Sequence, residues 1–169
     1  MPKHIGHFEL SGDFDPDEIT RLLDIEPSWI HRKGGLRYED SHGPSTVSAW
    51  ILYCMEDVGG EVGDQISSLL FKLRPKHDIV KKLCTDYFGW FKLYAYLDGS
   101  STGFLLKQSK LRELHSLGVS VDCEYIYARD GYFDDYFHEG REPLPTNDNQ
   151  ELIAGHYARL DHLNKTKVE

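Results

Sequence analysis

The most constraining stretch of this chain is residues 47–54, VSAWILYC, which is apolar on both faces of a strand. A strand of that kind belongs inside a sheet covered on at least one side by helices. Its companions alternate instead. Residues 4–10 put Phe8 and Leu10 on one face and Ile5 and His7 on the other. Residues 88–97, FGWFKLYAYL, set Phe91, Leu93, Ala95 and Leu97 against Trp90, Lys92, Tyr94 and Tyr96, the period-2 pattern of a half-buried strand. A further strand is expected at 119–127 and a short one at 36–40, the rest of 28–46 reading as loop.

Helix signals fall between these strands. Asp15 is a cap, Pro16 fits the first helical position, and Ile19, Leu22 and Leu23 form a short apolar stripe that Pro27 ends. Asp64 opens a second helix carrying Ile66, Leu69, Leu70 and Leu73; Pro75 breaks it, and Ile79, Val80 and Leu83 continue beyond. Ser109 is read as the cap of a helix with Leu111, Leu114 and Leu117, stopped by Gly118. The order β-α-(β)-β-α-α-β-α-β predicts one α+β domain over residues 1–128. Its sheet is mixed or antiparallel and layered with helices in a ferredoxin-like alternation. A chain of 169 residues can bury such a core without disulfide or metal staples.

Composition shifts after Ala128. Residues 129–151 hold seven acidic side chains against two basic ones, with Tyr132, Phe133, Tyr136 and Phe137 among them. Residues 129–169 read as an acidic C-terminal extension with a helix at 148–163, docking on the domain or on a partner.

The net charge of −9 decides which partners are reasonable. Binding to nucleic acid requires a clustered positive surface to displace counterions, and the densest basic run is only His31-Arg32-Lys33. An anionic membrane surface is disfavoured for the same reason, and no apolar run is long enough to span a bilayer. An acidic surface favours a basic protein partner. Three scattered cysteines without a CxxC, and an N-terminus without a signal-peptide pattern, point to the cytoplasm. Oligomeric state is not readable.

No catalytic motif stands out. Asp13, Asp15 and Asp17 resemble the start of a calcium loop, but Glu18 and Asp24 stand where glycine and glutamate are needed, and capping accounts for the carboxylates. The nine histidines lack zinc-type spacing, so neither a metal nor a cofactor is expected. Cys84 and Cys123 fall at apolar positions rather than beside a base. The loop at 29–42 is the one place suited to a small anion, with His31, Lys33 and His42 for charge and Gly34 and Gly35 offering backbone N–H groups. A tight turn is the competing reading. Trp90, Tyr94 and Tyr96 form either a covered face or a recognition surface.

The segments FDPDEITRLLDIEPSWIHRKGG, SAWILY, DQISSLLFKLRPKHDIVKKL and SKLRELHSLGVSVDCEYI, in this order, resemble the bacterial family of domain of unknown function 4279 over about residues 6–127. The carrying positions are Asp15-Pro16, Glu18-Ile19-Thr20, Leu23, Ile25, Pro27, Lys33-Gly34, Trp50, and Leu117-Gly118 through Tyr125. Ser28 stands where the family commonly has threonine. The resemblance implies a compact bacterial α+β domain and brings no activity with it. What remains is the expectation of a non-enzymatic protein-interaction module, an immunity protein being one form of it. The alternative is a small-anion binder or enzyme working through residues 29–42.

Overall fold

The computed structural model describes residues 3–35, 43–54, 62–97 and 104–127. Five strands, β1 (Lys3–Gly12), β2 (Trp29–His31), β3 (Ser48–Tyr53), β4 (Phe88–Leu97) and β5 (Ser120–Tyr127), form one sheet in the order β2-β3-β1-β4-β5. Four α-helices accompany them among the described residues: α1 (Pro16–Leu23), α2 (Val62–Leu73), α3 (His77–Asp86) and α4 (Gln108–Leu117). β1 runs antiparallel to both β3 and β4, β2 is antiparallel to β3, and β4 and β5 are parallel. Two split β-α-β units therefore interlock. β1 and β2 are parallel around β3, and β3 and β4 are parallel around β1. This is the ferredoxin-like arrangement, extended by α4 and β5, and the sheet is mixed.

All four helices supply side chains to a single core on one face of the sheet. Phe8 and Leu10 of β1, Trp50 and Leu52 of β3, and Phe91 and Leu93 of β4 meet Ile19, Leu23, Ile66, Leu69, Leu73, Val80 and Leu114 there. Each fully buried side chain of this size contributes roughly 1.5–3 kcal/mol. The register places Phe8 opposite both Leu52 and Phe91, so the alternation of β1 and β4 lies in phase. β3 is buried at every position, as its two-sided apolar sequence demands.

Capping chemistry sets the helix ends. Asp15 accepts from the Asp17 N–H at 3.1 Å, with Pro16 at the first position. α1 stops at Leu23 rather than at Pro27. Asp24 adopts a left-handed conformation, φ 54°, and its N–H returns to the Thr20 carbonyl at 2.8 Å. Pro75 sits in a 3-10 turn, Arg74–Lys76, that joins α2 to α3. α4 begins one residue before Ser109. Its cap position is Lys107, which makes no side-chain capping bond, whereas Gly118 takes the left-handed stop at φ 72°. β2 is a strand inside the stretch read as loop: Pro27 and Ser28 precede it and it is only three residues long, too short to display a period. The strand expected at 36–40 and the helix at 148–163 lie outside the described residues.

Candidate functional site

The sheet face turned away from the helices is not apolar. Register brings Ile5, His7, Glu9 and Ser11 of β1 alongside Ala49, Ile51 and Tyr53 of β3, and alongside Phe88, Trp90, Lys92 and Tyr94 of β4. His7 and Glu9 are buried there. Glu9 Oε2 receives the Lys92 ammonium at 3.1 Å, and His7 Nε2 lies 3.4 Å from the same oxygen. The His7 ring packs on Tyr53, with centroids 4.8 Å apart, and near Tyr94 at 5.8 Å.

The electrostatics follow from that enclosure. Burial alone pushes the Glu9 carboxyl upward, because a charged group loses its hydration. The hydrogen bond with His7 and the charge of Lys92 outweigh burial and hold Glu9 at about 2. Glu9 is therefore a carboxylate at every physiological pH. Strongly shifted groups of this kind mark sites as well as structural ion networks.

Along β4 the same face opens. Phe88 is 70% exposed and stacks on Trp90 at 6.4 Å between ring centroids. Trp90 is half-buried, and Lys92 Nζ stands 5.8 Å from its ring centre, within cation–π range. Tyr94 is only 4% exposed. The residues at alternate positions of one strand thus form a gradient, from an open aromatic pair to an enclosed His–Glu–Lys network.

Of the residues expected to bind a partner, Trp90 lies on this rising edge and Tyr94 is enclosed. Tyr96 pairs with Lys3 in the β4–β1 ladder. Tyr132, Phe133, Tyr136 and Phe137 fall outside the described residues. His7, Glu9 and Phe88 carry no local motif that marks them in the sequence. The available signal was that ionisable and aromatic side chains share the odd face of β1 and the even face of β4.

The turn read as an anion site has another use here. The Gly34 N–H donates to the Ser45 carbonyl at 2.8 Å, and the Gly35 N–H to the Arg32 carbonyl at 3.0 Å. Both donors are thus taken up by backbone. Lys33 Nζ pairs with Asp13 at 2.7 Å; Arg32 spans Asp15 and Asp17, each at 2.8 Å. These cations hold the start of α1 against the end of β2, and between them they pair with all three aspartates that resemble a calcium loop. His31 is buried on β2 opposite Ala49, and His42 lies outside the described residues. Among the described residues, no three His, Cys, Asp or Glu side chains are arranged to hold a metal ion. No described helix is long and apolar enough to cross a membrane.

Fold and face together define a ferredoxin-like α+β domain whose described helices share one face of the sheet and whose other face is polar and aromatic. The chain belongs to the family described as Domain of unknown function (DUF4279), whose pattern matches residues 3–128. No curated protein and no solved structure matches it.

Proposed function

We propose that this chain is a non-enzymatic protein-interaction module of the bacterial cytoplasm, and that it meets its partner through the open end of the sheet face opposite the described helices. The observation that carries the reading is the pair Phe88 and Trp90, an exposed ring stacked on a half-buried one at the mouth of a charged, enclosed interior. Rigid aromatic side chains of this kind dominate the energy of protein interfaces, because they bring large contact area at little entropic cost. The net charge of −9 selects a basic partner and speeds its approach. An immunity protein that neutralises a basic toxin is one concrete form of the role.

Affinity capture from source cells, with Phe88→Ala, Trp90→Ala and Leu105→Ala compared with the unaltered chain, tests the site. Leu105 is a control, being 79% exposed and placed beside the start of α2, its carbonyl oxygen 3.9 Å from a Cβ built at Gly63. A partner retained by Leu105→Ala and lost by both aromatic variants supports the reading. A partner retained by all three variants, or lost by all three, sinks it.

A further inference from the structure

A second surface carries a different chemistry. A cleft of about 510 Å³ opens between α2, the 3-10 turn and α4, lined by Ser67, Ser68, Phe71, Lys72, Arg74 and Lys110. Three of these described lining side chains are cationic and none is acidic, on a chain that carries nine more negative than positive charges.

The cations are held in place from behind. Glu113 Oε1 accepts from Arg74 Nε at 3.2 Å and from Nη2 at 2.7 Å. Lys110 Nζ lies 3.6 Å from the other oxygen of Glu113. One carboxylate thus positions two cations, and positive charge remains in excess. The guanidinium of Arg74 keeps Glu113 below the usual carboxylate range, so the brace is ionised whenever the cations are. Phe71 meanwhile stands 71% exposed, an unusual position for a phenyl ring on the polar side of a helix. Ser67, which lines the cleft, donates its hydroxyl hydrogen to the Gly63 carbonyl at 2.6 Å, which leaves its oxygen able to accept.

We infer that this cleft binds a small phosphate monoester carrying a flat ring, of the nucleoside monophosphate class. Guanidinium and ammonium groups match the charge and geometry of phosphate oxygens. The Phe71 ring supplies a stacking platform for the base, and the Ser67 oxygen can accept from a sugar hydroxyl. This site is independent of the partner-binding face.

Titration calorimetry of the full chain at low salt, with adenosine monophosphate, inorganic phosphate and adenosine as separate probes, tests the assignment. The nucleotide binds more tightly than either fragment. Lys110→Ala weakens nucleotide and phosphate alike, by roughly ten-fold as expected for a lost charge-assisted hydrogen bond. Phe71→Ala weakens the nucleotide and leaves phosphate unchanged. Both cleft residues project from helix surfaces, and unaltered thermal midpoints will verify that the variants fold. Absence of nucleotide binding, equal affinity for nucleotide and phosphate, or affinity indifferent to both Lys110→Ala and Phe71→Ala overturns it.

Discussion

The indole N–H of Trp50, in the middle of β3, donates to the Thr20 hydroxyl of α1 at 3.0 Å. The same hydroxyl donates to the Pro16 carbonyl at 3.0 Å. Thr20 is therefore both the acceptor for a fully buried tryptophan and a bond within its own helix, and it pins α1 to the sheet. Thr20→Val keeps the shape and leaves the indole N–H buried without its acceptor. The expected loss is about 1–3 kcal/mol, whereas Thr20→Ser retains most of the stability. Urea unfolding midpoints at constant slope check both.

Ser28 gives a second test of how the segments that resemble the family are used. Its N–H donates to the Ile51 carbonyl at 2.8 Å, and its side-chain oxygen accepts from the Tyr53 N–H at 3.0 Å. The hydroxyl thus extends the β2–β3 ladder beyond the last paired residue. Threonine carries the same oxygen, which is why the departure at Ser28 is mild. Ser28→Thr is expected to stay within about 0.5 kcal/mol of the unaltered chain, and Ser28→Ala to lose about 1 kcal/mol. Chemical denaturation of the two variants in parallel distinguishes a role for the oxygen from a role for side-chain size.

The Glu9–Lys92 pair makes stability depend on acid. Glu9 lies at about 2 in the folded chain against an ordinary 4.5. A lowered carboxyl contributes its stability above the ordinary value, and that contribution drains away as pH falls from about 4.5 towards 2. The size of the shift corresponds to roughly 3 kcal/mol. Urea midpoints measured from pH 6 to pH 2 should fall more steeply for the unaltered chain than for Glu9→Gln. Equal slopes would remove Glu9 from the account. At pH 7, Lys92→Met leaves a buried carboxylate without its cation and is expected to cost about 3 kcal/mol. The double variant Glu9→Gln, Lys92→Met should recover part of that loss.

How far the chain could be read in advance follows the range of the interactions. The alternation of β1 and β4 and the stripes of α1, α2 and α3 are local patterns, and they place Phe8, Leu10, Ile19, Leu23, Leu69 and Phe91 in the interior, where each is found. Leu22, read into the α1 stripe, is instead 44% exposed, because this eight-residue helix turns Ile19 and Leu23 towards the core. β2 escapes a local reading because three residues show no period. The site escapes it for a different reason. Glu9 and Lys92 are distant in sequence and meet only through the β1–β4 register, which places Glu9 beside Trp90 and His7 beside Lys92. The glycine turn misled in the same way. Lys33-Gly34-Gly35 looks like a cradle for an anion when read locally, but its donor at Gly34 is taken by Ser45, a backbone partner that only the folded chain brings within reach.

Gly89 exposes a packing constraint between α3 and β4. A Cβ placed there would overlap the Cys84 sulfur and crowd the Cys84 Cβ at 3.0 Å. Cys84 is itself buried, and that burial pushes its thiol up to about 12, so it is a packing group rather than a nucleophile. Gly89→Ala therefore forces α3 away from the strand and is expected to cost about 1–3 kcal/mol, the usual range for overpacking. Cys84→Ala opens a small void and costs less. Combined, the two changes exchange volume across one contact, so the double variant should be more stable than Gly89→Ala alone. Thermal midpoints of the three variants decide the matter. Additive losses would mean that the strain at Gly89 comes from the backbone, whereas recovery in the double variant locates it at the Cys84 sulfur.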